Sequence, residues 1–357
     1  MNEGKKVHII AVCGTAMASY AGMLKERGYA VSGSDQNMYP PMSDQLAALG
    51  IQVFEGYRPE NLAHRPDLVV VGNTIKKDNP ELNEVLRLGL PYTSFPASLS
   101  ELFLQDRQPL VIAGTHGKTT TTSLAAWVLH QCGADPSFMI GGIPLNYGRS
   151  YRLGQGQPFV IEGDEYSTSC FDRAPKFLHY RPTNLILTGI EYDHADIYDS
   201  LESIVLEFTR LVKLLPPEGI ISVCADNQTA LDVVQYACCG TETYGLYNPN
   251  AKWTAKNIDF NGSTMTFSIF CNKVEIGRYA SAIVGEHNLQ NILGVFSMAM
   301  RLGLDKDQVG AALLSFQGVK RRMELFAEVS GVTIIDDFAH HPTAIRETVK
   351  AIRHKYP

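Results

Sequence analysis

Pro109-Leu110-Val111-Ile112-Ala113-Gly114-Thr115-His116-Gly117-Lys118-Thr119-Thr120 decides the fold. An apolar run without polar alternation meets two glycines, a lysine and threonines, and a helix-like stretch follows as far as Gly133. That order is strand, loop, helix, with the strand covered on both faces. Glycines let backbone N–H groups converge on phosphate oxygens, and the start of a helix adds positive potential. Lys118 can then reach terminal phosphates, and the Thr119 hydroxyl can ligate Mg2+. The longer G-x-x-x-x-G-K-[ST] spacing is absent, because position 112 is Ile.

Working outward, the same rhythm recurs on both sides. Towards the N-terminus, strand-like Val7–Val12, Tyr29–Ser32, Ile51–Phe54 and Leu68–Val71 alternate with helix-like Met17–Arg27 and Ser43–Leu49, and a Leu99–Leu104 helix closes the series near Arg107. Towards the C-terminus, Phe159–Ile161, Leu185–Leu187 and Ile220–Val223 continue the parallel pattern. Lys252 to Ala282 turns to alternating, turn-rich strands, a small antiparallel excursion. Helix-like Asn288–Leu302 and Lys306–Ser315 follow it. After Gly318 only one strand, Val332–Ile335, and one helix, Thr343–His354, are legible, too little to bury a core. The expected class is α/β in three parts: a Rossmann-like parallel-sheet domain over 1–107, a central phosphate-loop α/β domain over 108–318, and the start of a truncated Rossmann-like C-terminal domain over 319–357.

Composition narrows the function. The 357 residues carry 31 Lys plus Arg against 37 Asp plus Glu, a net charge of -6, which disfavours coating a nucleic-acid backbone. With 45% hydrophobic residues the chain has ample apolar surface to bury, so global disorder is excluded. No apolar run approaches a membrane span, and Met1 to Lys6 lacks a secretory signal's apolar core; cytoplasmic residence is expected, with neither nucleic acid nor membrane as a partner. The 7 cysteines form no C-x-x-C pair and read as reduced thiols, with redox activity at Cys238-Cys239 as the rival.

In an open parallel sheet, ligands gather beyond the carboxyl ends of strands. Two acidic segments stand there: Glu162-Gly163-Asp164-Glu165 after Phe159–Ile161, and Glu191-Tyr192-Asp193-His194 after Leu185–Leu187. Glu162 and His194 are the candidate metal ligands, carboxylate for Mg2+ and imidazole for a second cation; capping a helix or solvating a loop is the alternative for each. Near the N-terminus, Gly14-Thr15-Ala16-Met17 follows the first strand and Asp35 ends the second, as in a dinucleotide fold. Only Gly14 sits in the turn, so G-x-G-x-x-G is unmet and a nicotinamide oxidoreductase is weakly supported. A diphosphate-containing substrate and a purely structural turn both remain open.

Gly114 to Thr122, Glu162 to Glu165, Asp193-His194, His287-Asn288 with Asn291, Lys320-Arg321-Arg322 and Asp336 to Pro342 together resemble the Mur ligases, along the whole chain. The resemblance is strongest to the branch that uses ATP to join UDP-N-acetylmuramate to L-alanyl-γ-D-glutamyl-meso-diaminopimelate in peptidoglycan recycling. It is carried by Gly14 to Met17, Tyr39 to Met42, Gly141 to Asn146, Phe177 to Pro182 and His194-Ala195-Asp196-Ile197. The resemblance implies three domains, for the uridine nucleotide, for ATP and for closure over ATP. It implies carboxylate activation through an acyl phosphate that the peptide amine attacks. By position, Gly114, Thr115, His116, Gly117, Lys118, Thr119 and Thr120 would hold ATP, and Thr119, Glu162 and His194 the Mg2+ sites. Asn288 and Asn291 would lie at the adenine, Arg322 at the γ-phosphate and Asp337 on the ribose. Lys118, Glu162, His194 and Arg322 would form the catalytic set, while Gly14, Thr15, Ala16, Met17, Asp35, Asn73 and Thr74 would bind the UDP-sugar.

Ala18, Gly163 and Gly189 depart from the pattern, at positions where the branch or family usually has Gly, Ala and Asn. The nearest rival is the ligase that adds free L-alanine to the same UDP-sugar. In that group the acidic motif runs almost directly into the Phe-Leu-His segment, whereas Tyr166 to Lys176 intervenes here. A nucleotide-binding module without chemistry is the third possibility.

Overall fold

The computed structural model describes residues 4–356 apart from 196 and 263. Asp196 of the quoted run, and Met1 and Pro357 at the ends of the expected domain ranges, lie outside them. The chain divides into two compact units: one holds residues 1–107, 150–153 and 165–180, the other 108–149, 154–164 and 181–357.

The first unit is built on five parallel strands in the order Gln52–Glu55, Ala30–Asp35, Lys6–Ile10, Leu68–Val71, Tyr92–Ser94. The chain reverses its winding beside Lys6–Ile10, so a crevice opens past the carboxyl ends of that strand and of Leu68–Val71. Gly14 to Met17, at the start of helix Thr15–Glu26, and the exposed Asn73 and Thr74 follow these two adjacent strands. Beneath them lies a wholly buried polar knot. His8 Nε2 meets Glu81 Oε1 at 2.6 Å, His8 Nδ1 meets Ser32 Oγ at 2.9 Å, and Ser34 donates to Glu81 Oε2 at 2.7 Å. Such groups are tolerated inside only because each has a partner. Residues from beyond position 107 complete the unit: Ser150 Oγ lies 2.7 Å from Ser19 Oγ, and the Tyr151 ring fills the space a side chain at Gly22 would need. Phe171 packs edge-on against Tyr92 at 5.2 Å.

Among the described residues of the second unit, seven strands run parallel: Ser137–Met139, Pro158–Gly163, Gln108–Ala113, Asn184–Leu187, Ile220–Cys224, Gly240–Tyr244 and Trp253–Asn261. The sheet continues through Trp253–Asn261 into the antiparallel Thr264–Cys271 and Val274–Ser281. The expected antiparallel excursion is therefore the edge of the main sheet. Leu110 and Ile112 enter a core shared with Leu124, Val128, Ile292 and Phe296, while Val111 between them is buried too. Burial of successive residues in Gln108–Ala113 is what the unbroken apolar run requires of a central strand.

Several elements escaped the sequence. Glu324–Val329 forms a second strand, paired antiparallel with Val332–Asp336, where one was expected. The segment expected as one helix, Leu99–Leu104, is instead a short α-helix Phe95–Leu99 continued by the wider turn Ser100–Leu104. Tyr166 to Lys176 contains a hairpin of Ser167–Ser169 and Asp172–Pro175. The α/β class and the antiparallel pairing stand as read.

Candidate functional site

Strand Gln108–Ala113 delivers the chain to Gly114 at φ +130°, and Gly117 at φ +78° starts helix Lys118–Gln131. Side chains rarely adopt either conformation, which is why glycine stands at both. A side chain at Gly114 would also meet the Thr188 hydroxyl and lie 2.7 Å from the Gly189 carbonyl oxygen. The loop is tied to the neighbouring strand's exit: Thr188 N–H donates to Ala113 O at 2.9 Å, Thr115 N–H to Gly189 O at 2.8 Å, and Thr188 Oγ1 to His116 O at 2.6 Å. The Lys118 ammonium curls back to donate to Gly114 O at 2.7 Å.

At the end of the adjacent strand Pro158–Gly163, Glu162 accepts from Gly141 N–H at 2.6 Å and from the Thr119 hydroxyl at 3.2 Å. Arg322 reaches Thr119 Oγ1 from the other side at 3.4 Å. Burial pushes the Glu162 carboxyl above its ordinary value, against the pull of the Gly141 amide, Lys118, Arg322 and Thr119. A carboxylate and a hydroxyl at one point, with a partly desolvated negative charge, make a hard-oxygen donor set that suits Mg2+.

A cavity of about 250 Å³ opens beside the loop. It is lined by His116, Gly117 and Thr120 of the loop, Asn288 and Asn291 of helix Glu286–Arg301, and Arg322 and Asp337 from the last segment. Seven residues singled out in the sequence, spread over more than two hundred positions, thus face one space. Asn288 donates to Val284 O at 2.8 Å and is held near Asn291 at 3.4 Å. Both Asp337 oxygens take backbone amides, Met323 N–H and Ala339 N–H, each at 2.8 Å.

His194 stands elsewhere on the same sheet edge, at φ +58°, its backbone amide donating to Asp193 Oδ1 at 2.7 Å. Partial burial pushes the Asp193 carboxyl up, but the His194 amide and the imidazoles of His194, His341 and His116 hold it below its ordinary value overall. The sequence missed Glu191 as an individual site residue: it accepts from His116 Nε2 at 3.2 Å and from Thr343 Oγ1 at 3.1 Å. It gave no role to the partly buried His287, whose Nδ1 has no hydrogen-bond partner among the described residues and which lines the cavity. In the first unit, Asp35 gives its two oxygens to Cys13 N–H at 2.8 Å and Asn37 N–H at 3.2 Å, bracing the turn before Gly14.

The Mur ligase middle domain matches residues 112–299, the Mur ligase family catalytic domain 6–107 and the Mur ligase glutamate ligase domain 321–357. UDP-N-acetylmuramate--L-alanyl-gamma-D-glutamyl-meso-2,6-diaminoheptandioate ligase of Escherichia coli is 41% identical over 98% of this chain and 76% of its own length. A UDP-N-acetylmuramate--L-alanine ligase of Desulforamulus reducens is 34% identical over 99% and 75%. The crystal structure of a murein peptide ligase from Psychrobacter arcticus superposes with a TM-score of 0.86 at 38% identity, covering 99% of this chain and 76% of that one. Fold, loop and sequence therefore converge, and the chain belongs to the Mur ligase family.

Proposed function

We propose that the protein is an ATP-dependent ligase joining UDP-N-acetylmuramate to the tripeptide L-alanyl-γ-D-glutamyl-meso-diaminopimelate. The observation that carries this is the single cavity shared by the loop residues, Asn288, Asn291, Arg322 and Asp337. In this role Gly114 to Thr120 wrap the phosphates and Lys118 exchanges the Gly114 carbonyl for a phosphate oxygen. Arg322 neutralises charge as a carboxylate takes up the phosphoryl group. Asn288 and Asn291 offer amides to the base, and Asp337 a carboxylate to the ribose.

Thr119 and Glu162 would hold Mg2+, with His194 for a second cation, and the ion supplies charge neutralisation at the phosphates. Gly14 to Met17, Asn73 and Thr74 stand at the crevice where a parallel sheet takes a nucleotide, and Asp35 shapes that turn from behind. The matched ranges support a division at 1–107, 108–318 and 319–357. The cytoplasm, where ATP and UDP-sugars are made, is the compartment this activity requires; no helix among the described residues is long and apolar enough to cross a membrane.

The tripeptide is favoured over free L-alanine by the higher identity to the tripeptide-joining relative, 41% against 34%, and by the hairpin within Tyr166 to Lys176. The test is ATP-dependent phosphate release by the purified protein with UDP-N-acetylmuramate and tripeptide, L-alanine or no amine in parallel. Release stimulated by tripeptide alone is expected. Equal stimulation by L-alanine overturns the substrate assignment, and failure to bind ATP in a titration overturns the ligase reading.

A further inference from the structure

His116, Glu191 and His341 come from three separated parts of the chain and place one ligating atom each within 4.8 Å of one another. His116 belongs to the phosphate loop, Glu191 follows strand Asn184–Leu187, and His341 caps helix Pro342–Lys355. His116 Nε2 lies 3.2 Å and His341 Nδ1 3.9 Å from the same oxygen, Glu191 Oε2. The two imidazole rings are 4.7 Å apart. None of this was needed for the ligase reading, which assigned its cations to Thr119, Glu162 and His194.

We infer that His116, Glu191 and His341 form a binding site for a first-row transition-metal cation of the Zn2+ class, separate from the Mg2+ sites of the nucleotide. Two imidazoles and one carboxylate are a borderline donor set, which prefers such ions to Mg2+. Ligand atoms around a tetrahedral Zn2+ stand about 3.4 Å apart, so separations of 3.2 and 3.9 Å need only small side-chain adjustments. The carboxylate is already oriented by the Thr343 hydroxyl at 3.1 Å, the kind of outer contact that fixes a ligand. His341 Nδ1 faces the Thr343 amide at 3.3 Å, a long contact that costs little to give up. One side of the cluster opens into the cavity, leaving positions for water or an added oxygen ligand. A cation there would tie the phosphate loop to the 341–343 segment.

The experiment is titration of tag-free, nucleotide-free protein with Co2+ and Zn2+, read by the visible bands of Co2+ and by calorimetry. With 10 histidines in the chain, adventitious binding is controlled by variants. Wild type should take up one cation saturably, and Glu191→Gln and His341→Asn should each weaken it by at least about tenfold. His340→Asn, next to the site but bonded to Phe338 O, should leave the affinity unchanged. X-ray absorption at the zinc edge of wild type, which depends on no variant, should count two imidazoles. Absence of saturable binding, affinity equal across all variants, an equal loss in His340→Asn, or an edge spectrum without imidazole would each overturn the site, leaving a hydrogen-bonded cluster only.

Discussion

Replacing Gly114 by alanine should damage the phosphate loop from within. Its φ of +130° is one that residues with a Cβ rarely adopt, which costs about 1–3 kcal/mol. The new Cβ would also sit 2.7 Å from the Gly189 oxygen and against the Thr188 hydroxyl. Neither neighbour can withdraw freely, because Thr115 N–H, Thr188 N–H and Thr188 Oγ1 all bond across this junction. Parting it by enough to admit a methyl group loosens one or two of those bonds, about 0.5–1.5 kcal/mol each. A total of about 1.5–6 kcal/mol follows, which in a unit of this size lowers the melting temperature by about 3–24 °C. The Gly114 carbonyl moves with the loop, so Lys118 and the loop amides lose their alignment. Since about 1.4 kcal/mol is a factor of ten, ATP affinity should fall at least tenfold. Differential scanning fluorimetry and calorimetric ATP titration read the two effects, and UDP-N-acetylmuramate affinity serves as a control that should not change. An alanine variant with wild-type melting and ATP affinity within twofold would show that the loop is not held as described.

Three further outcomes are expected. Lys118→Ala should lower tripeptide-dependent turnover by about 10²–10³-fold, the usual cost of one electrostatic contact to a transition state, while leaving the melting temperature near wild type; retained turnover refutes its phosphate role. Glu81→Ala strips the acceptor from buried His8 and Ser34 and should destabilise the first unit by about 3–5 kcal/mol in urea unfolding; a loss below about 1 kcal/mol would mean the knot is solvated. Burial holds His287 below the ordinary value of 6.5, so the unfolded chain takes up a proton that the folded one refuses. Its stability contribution is complete above pH 6.5 and is lost as pH falls through the depressed value, so the acid-side decline in melting temperature should be shallower in His287→Gln.

What the sequence disclosed depended on contiguity. The strand, loop and helix around Lys118 are neighbours in the chain, and each residue's chemistry constrains the next. Glu162 was legible because an unbroken apolar run points its end towards ligands. Glu191 was not singled out because only the folded loop brings its carboxylate to His116 and Thr343, residues 75 and 152 positions away. His341 could be paired with it only in three dimensions. Glu324–Val329 escaped because its residues are mostly exposed and its acids and apolars do not alternate regularly. Gly240–Tyr244 escaped because its burial of Glu242 is made acceptable by Trp253 Nε1–H at 2.8 Å and Lys252 at 2.9 Å, partners a linear reading does not supply.

The contribution of Ser150–Leu153 and Glu165–Tyr180 to the N-terminal unit bears on how the protein is made. A ribosome that has released only Arg107 has not yet supplied Tyr151 to cover Gly22, nor Phe171 to pack on Tyr92. Maturation of this unit must therefore wait for translation through Tyr180, well into the coding of its neighbour. A gene fragment ending at Arg107 would yield a polypeptide with its apolar patches bare.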